Sequence, residues 1–229
     1  MSGRHAIVTA ALGPSHAALA KVSVPLLEKY ALRIGADLYV NCTRLFPDRH
    51  PYWEKFALSK FLQSYDRVAW IDIDTIVNPA APSIFEAAPV GKFCAFDEGL
   101  VFGDRQEQLW KDSAFYGVGG DRIVGWPHKY FNVGVMVIEP SHEPLFKQPS
   151  LVKSDSIMPE QTYLNLKLAE TRTPCHDLTS LWNGLHSIHA EGDRKRLNIV
   201  HYAGWPKTPD WVYRVTTQMK KDLAVWGAA

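Results

Sequence analysis

The chain has 229 residues, with 25 Lys and Arg against 24 Asp and Glu, a formal charge of +1, and 46% hydrophobic content. Such a chain buries a sizeable core without disulfide or metal staples, and its balanced charge offers no general grip on nucleic acid or anionic lipid. Cys42, Cys94 and Cys175 lie far apart with no CxxC pair, which argues against a disulfide framework or structural zinc and fits a reducing compartment.

The first apolar run, residues 6–12, is short and broken at once by Gly13-Pro14, so it reads as a first strand and not as a signal peptide. No run approaches the roughly 18 apolar residues of a bilayer span, and the expected location is cytoplasmic. Gly13-Pro14-Ser15 makes a turn, with Ser15 placed to cap a helix over 16–34 and Gly35 to stop it. Pro25 is expected to kink or split that helix. Residues 37–41 read as a second strand. Over 52–65, Trp53, Phe56, Leu58, Phe61 and Leu62 recur at helical spacing around Lys55 and Lys60.

Residues 68–77 form the most apolar strand-like run, suited to a buried parallel strand. Strands over 92–96 and 131–138 flank a glycine-rich stretch, 98–128, which reads as a long loop or lid and as part of an acceptor site. A helix over 159–171, a strand over 198–202 and an amphipathic helix over 210–226 packed on the body complete the chain. The β-α-β alternation at the front predicts an α/β fold with a nucleotide-binding type of sheet. With no linker or repeat, residues 1–229 read as one domain.

Asp72 and Asp74 stand two apart near the end of the 68–77 run, so on a strand both carboxylates share a face. Two carboxylates so close resist joint ionisation unless a cation intervenes, and a divalent metal also accepts phosphate oxygens. The plain alternative is a turn cap beside a solvated acid. Downstream, His201-x-x-Gly204-x-x-Lys207 combines an imidazole, a glycine that permits close backbone approach and a cation. That set suits a metal-bound diphosphate, against the rival of an ordinary surface turn. Trp53, Trp182 and Trp205 are placed to stack on a sugar or base, core packing being the commoner role of such residues.

Taken in order, Asp72-Ile73-Asp74, Phe131-Asn132-Val133-Gly134-Val135, Glu160-Gln161 at a helix start and His201-x-x-Gly204-x-x-Lys207 resemble a known pattern. The pattern is that of the GT-A fold glycosyltransferases, most closely family eight, which includes glycogenin and bacterial lipopolysaccharide galactosyltransferases. The likeness runs from the first strand to Lys207. It implies one GT-A domain with a mixed central sheet flanked by helices, divided into a Rossmann-like nucleotide-binding half (1–97) and an acceptor and donor-sugar half (98–229). It implies a nucleotide-sugar donor, usually UDP-linked, a manganese ion with magnesium as substitute, and transfer with retention at the anomeric carbon.

By position, the resemblance gives Asp72, Asp74 and His201 to the metal, and Gly204 and Lys207 to the diphosphate. Lys55 would face the donor, Asp97 would bind donor-sugar hydroxyls, and Asn132 and Gly134 would line the sugar pocket. Thr9 and Ala10 would offer backbone contacts to the base. Glu160 and Gln161 take the catalytic positions, Glu160 standing where an aspartate is usual. The acceptor (a glycan, a lipid-linked sugar, a protein or another hydroxyl) is left unnamed. Two other readings stay open. One is a haloacid-dehalogenase-like phosphatase with Asp72 as nucleophile, for which no later acidic pair is found. The other is a non-catalytic nucleotide-sugar-binding module.

Overall fold

The computed structural model describes residues 3–103, 105–124, 126, 129–153, 155–156, 158–205 and 208–227. Its centre is a six-stranded mixed sheet ordered β2-β1-β3-β6-β5-β7, and a second sheet is ordered β4-β9-β8. The strands are β1 (His5–Ala10), β2 (Ala36–Asn41), β3 (Arg67–Ile71), β4 (Thr75–Val77), β5 (Phe93–Asp97), β6 (Phe131–Ile138), β7 (Cys175–Asp177), β8 (Gly184–Leu185) and β9 (Ile199–His201). β1 pairs in parallel with β2 and β3, whereas β6 runs antiparallel between β3 and β5. The central sheet therefore joins residues from either side of position 97.

Every residue of β3 and β6 is buried because both faces are covered. One face carries Trp53, Phe56, Leu58, Tyr163 and Leu164, and the other carries Leu27, Tyr30, Ile84 and Phe85. The first helix, α1 (Gly13–Ile34), ends at Gly35 with φ 68°, whose N–H caps the carbonyls of Ala31 and Leu32. Its start differs from expectation. Leu12 occupies the cap position, Pro14 fills the first turn and Ser15 lies inside the helix. Pro25 does not split it either: α1 is one element that runs through Pro25.

The 68–77 run is two strands, not one. β3 belongs to the central sheet and β4 to the second, and Asp72, Ile73 and Asp74 make the turn between them. Residues 51–63 form a long 3-10 helix rather than an α-helix, with 53–58 buried without interruption, including Glu54 and Lys55. The stretch 98–128 is not a bare loop. It contains α3 (Arg105–Ser113) and α4 (Gly120–Val124), following the four-residue helix α2 (Ile84–Ala87), and Leu109, Val118, Ile123 and Trp126 are set in the main core. Burial of those four side chains ties the described part of this segment to the body of the fold. The remaining helices are α5 (Pro159–Thr171), α6 (Thr179–Trp182) and α7 (Trp211–Val225). α7 packs Val215, Met219 and Leu223 into the cluster that also holds Leu19 of α1, as its amphipathic pattern predicts. Among the described residues, no helix is long and apolar enough to cross a membrane, and all three cysteines are free thiols.

Burial holds down the pKa of four histidines, His5, His142, His189 and His186, the last to about 4. The unfolded chain takes up these protons near 6.5 and the folded chain only at lower pH, so stability falls as pH drops below that value. His201 acts in the opposite sense: its raised folded value adds stability in acid that is lost as pH rises through it. The raised Glu160 and Asp97 carboxyls act in the same sense as His201 but titrate from lower starting values, so near pH 5 the four histidines, led by His186, set the direction. Urea unfolding midpoints at about pH 5 should lie below those near neutrality, and a higher midpoint in acid would contradict the assignment.

Candidate active site

The turn between β3 and β4 is held from three directions. The Asp72 N–H donates to the Gly134 carbonyl at 2.7 Å, and the Asp74 carbonyl accepts the Tyr202 N–H at 2.8 Å. The Thr75 hydroxyl donates to the Asp72 carbonyl at 2.7 Å, and Ser23 Oγ of α1 lies 2.6 and 2.7 Å from the carbonyl oxygens of Ile73 and Thr75. β9 pairs His201 opposite Thr75, which brings the imidazole over the turn. His201 Nε2 then stands 3.3 Å from Asp74 Oδ1 and 3.8 Å from Asp72 Oδ2. Ligand atoms of Asp72, Asp74 and His201 all lie within 4.8 Å of one another. The Trp70 indole N–H donates to Asp72 Oδ1 at 2.7 Å, which orients that carboxylate.

These residues line a cavity of about 410 Å³ together with Ala10, Lys55, Asn132, Gly134, Glu160, Gln161 and Gly204. Lys55 Nζ, from the 3-10 helix, sits 3.1 Å from Asp72 Oδ2 and 3.7 Å from Glu160 Oε1. Burial lowers the Lys55 pKa, but Asp72 and Glu160 outweigh it and the net shift is upward. Burial raises the Glu160 carboxyl, with Lys55 pulling the other way. For His201, desolvation disfavours the imidazolium, yet Asp74 and Asp72 raise its pKa overall. Pro159 in the first turn of α5 fixes the backbone that presents Glu160 and Gln161, and both side chains are buried.

Beside the cluster lies a buried amide and carboxylate network. Asn132 Nδ2 donates to Glu98 Oε2 at 2.7 Å, and Gln161 Nε2 donates to Glu98 Oε1 at 3.0 Å. Asn183 Nδ2 donates to Asn132 Oδ1 at 2.9 Å, and Asn183 Oδ1 meets His201 Nδ1 at 2.8 Å. The cavity lining includes neither Asp97 nor Thr9. Asp97 Oδ1 is committed to the N–H groups of Gly99 and Tyr130, at 3.1 and 2.9 Å. A register shift between Ala95 and Phe96 re-aims the end of β5, so the neighbouring acid Glu98 enters the network. Thr9 is fully buried, with its hydroxyl lacking a hydrogen-bond partner. Gly204 has φ 78°, a conformation that glycine adopts without strain. Lys207 lies outside the described residues.

Of the three tryptophans singled out, Trp53 and Trp182 are core residues, while Trp205 lines the cavity with the His186 ring stacked on it at 5.0 Å. Glu98 and Asn183 carry no sequence motif. Glu98 was masked by the adjacent Asp97, and Asn183 sits in a short connection whose position only the fold reveals. Gly134 has a packing reason of its own. A Cβ there would fall inside van der Waals contact of His201 Cε1, 2.8 Å from Nδ1 and 3.0 Å from Asn132 Oδ1. Gly134→Ala is therefore expected to displace His201 and weaken metal binding at least tenfold, on the order of 1.4 kcal/mol. Unchanged metal affinity by calorimetry would show that the imidazole can move aside.

No protein-family model matches the chain, and no curated protein matches it by sequence. Solved structures do match. The chain superposes on a glycosyltransferase involved in glycosylation of the major capsid of PBCV-1, with a TM-score of 0.64 at 15% identity, over 95% of this chain and 99% of that one. It superposes on the galactosyltransferase LgtC, solved in complex with donor and acceptor sugar analogues, with a TM-score of 0.54 at 16% identity over 94% and 95% of the two chains. The fold is that of the GT-A glycosyltransferases. All of this chain also superposes on 52% of the bifunctional glycosyltransferase WbbM, with a TM-score of 0.62 at 14% identity. At these identities the likeness carries the GT-A fold, and the chemistry rests on the side chains described above. A haloacid-dehalogenase-like phosphatase needs a different fold, and that reading is set aside.

Proposed function

We propose that the protein is a metal-dependent glycosyltransferase that moves a sugar from a UDP-linked donor to an acceptor hydroxyl, with retention at the anomeric carbon. The observation that carries this reading is the convergence of Asp72, Asp74 and His201 on one wall of a cavity in a GT-A fold. Two carboxylates and an imidazole suit manganese better than the all-oxygen shells of calcium or magnesium. Their 3.3 and 3.8 Å spacings are close to the roughly 3 Å between neighbouring ligands of a six-coordinate ion with bonds near 2.1 Å. Bound there, the ion would neutralise the departing diphosphate as a Lewis acid.

The chain's own groups do the rest. Gly204 would present backbone without a side chain to the diphosphate, Lys207 of the same sequence motif would add a positive charge, and Ala10, which lines the cavity as the buried Thr9 does not, would border the base. Lys55 Nζ lies between Asp72 Oδ2 and Glu160 Oε1 and offsets their charge in a buried setting. Glu160 Oε2 is buried with no hydrogen-bond partner, and a carboxylate so placed would stabilise oxocarbenium character at the anomeric carbon. Gln161 has both ends committed, Oε1 to the Val133 N–H and Nε2 to Glu98, so it shapes the sugar pocket with Asn132 and Gly134. In this reading residues 1–97 hold the nucleotide and 98–229 the sugar and acceptor.

The test is a thermal-shift panel of UDP, GDP, ADP and CMP, each with and without manganese. A shift that needs both UDP and manganese is expected. A shift with no nucleotide in the panel would overturn the donor assignment.

A further inference from the structure

We propose that Glu98 and Asn183 are positioning residues that set the tautomer of His201, through a hydrogen-bond relay of single polarity that keeps a proton on Nδ1 and turns the Nε2 lone pair towards Asp72 and Asp74. The inference rests on the reading of Asp72, Asp74 and His201 as a metal centre.

The relay has no freedom of direction. A carboxylate without a proton only accepts, and a backbone N–H only donates. Asn132 is caught between one of each: Nδ2 lies 2.7 Å from Glu98 Oε2, and Oδ1 takes the Gly134 N–H at 2.9 Å. Gln161 is caught in the same way, between Glu98 Oε1 at 3.0 Å and the Val133 N–H at 3.1 Å. Arg105 Nε donates to Glu98 Oε1 at 2.8 Å, which compensates the buried charge. With Asn132 Oδ1 fixed as an acceptor, the Asn183 atom 2.9 Å away has to be Nδ2. Asn183 then shows Oδ1 to His201 Nδ1 at 2.8 Å, and Oδ1 can only accept. Nδ1 therefore carries the proton.

Glu98, Asn183 and His201 are 1%, 0% and 3% exposed, so water does not stand in for a missing partner. Turning Asn183 over would set its oxygen against Asn132 Oδ1, leaving two buried acceptors face to face with no donor between them.

The consequence lies on the opposite side of the ring. Asp74 Oδ1, 3.3 Å from Nε2, would by itself favour a neutral imidazole with its proton on Nε2, which blocks the face that a cation needs. The relay opposes that tautomer, so a neutral His201 keeps its proton on Nδ1 and offers a cation the Nε2 lone pair. Outer hydrogen-bond partners that fix a ligating histidine in this way typically change metal affinity by about 10–100-fold.

The experiment is two-bond 1H–15N correlation spectroscopy of metal-free protein labelled with 15N-histidine, at alkaline pH where His201 is neutral, with His201→Gln assigning the signals. Wild type is expected to show the Nδ1–H tautomer. Asn183→Ala and Glu98→Gln are expected to shift population to Nε2–H and to weaken manganese binding, read by electron paramagnetic resonance, by about 10–100-fold. Asn183→Asp, which keeps an acceptor against Nδ1, should retain the wild-type tautomer. A wild-type Nε2–H tautomer overturns the proposal even if no variant folds. So does an Nδ1–H tautomer and manganese affinity unchanged in both Asn183→Ala and Glu98→Gln. Failure of wild type to bind manganese would instead overturn the metal reading, because the tautomer is measured without metal.

Discussion

Replacing Asp74 with alanine is expected to abolish the manganese-dependent stabilisation by UDP while leaving the melting temperature of the unliganded protein nearly unchanged. A ligand at a hundredfold its dissociation constant stabilises by about 2.7 kcal/mol. For a chain of this size, at roughly 2–4 °C per kcal/mol, the wild-type shift is about 5–10 °C. In the proposed site Asp74 would supply one of three ligand atoms, the other two coming from Asp72 and His201. Its backbone carbonyl accepts the Tyr202 N–H and survives the substitution, whereas its carboxylate loses the 3.3 Å contact with His201 Nε2. Its side chain is 23% exposed, and its removal relieves repulsion with Asp72. Differential scanning fluorimetry with and without manganese reads both quantities. A ligand shift in Asp74→Ala equal to that of wild type would place the nucleotide elsewhere.

Lys55→Met is expected to be the more damaging change to the protein itself. Nζ is the common partner of Asp72 Oδ2 and Glu160 Oε1, and the side chains of Lys55 and Glu160 are only 8% and 7% exposed. Removing one member of a buried pair leaves an uncompensated charge, at a cost of about 3–5 kcal/mol, or a fall in melting temperature of roughly 6–20 °C. Two further results follow from the same cause. Lys55→Met/Glu160→Gln should recover part of the loss, because the orphaned carboxylate is gone. The single variant should also lose less relative to wild type as pH falls, since burial already raises the Glu160 carboxyl and protonation removes its charge. Urea denaturation of the four proteins of this cycle measures both. A loss below about 1 kcal/mol, the value of an exposed pair, would mean that solvent reaches the site.

Much of the site was legible as residue order. Asp72, Asp74, Asn132, Gly134, Glu160, Gln161, His201 and Gly204 stand in sequence as a resemblance predicts, and all eight line one cavity. The strand alternation was legible too, because β1, β3 and β6 are continuous apolar runs. What failed depends on long-range pairing. Hydrophobicity cannot show that residues 68–77 change sheets at Asp72, since β3 and β4 are equally buried and only β9 distinguishes them. The glycines of 98–128 hid a packed segment, because Leu109 and Ile123 are too sparse to give a helical period. The choice between Asp97 and Glu98 turned on the register shift in β5, which no local pattern records. Asn183 acquires a role only when β8 and β9 bring it beside His201.

The most direct test of the account is turnover. Purified protein is incubated with a panel of UDP-sugars, and release of UDP and free or transferred sugar is followed in the presence of manganese, in the presence of a chelator, and for Asp74→Ala. The account predicts UDP release from at least one donor that requires manganese and falls about 10²–10³-fold in Asp74→Ala. Tight, manganese-dependent binding of UDP-sugars without release of UDP from any of them would contradict it, and would make the cavity the site of a binding module.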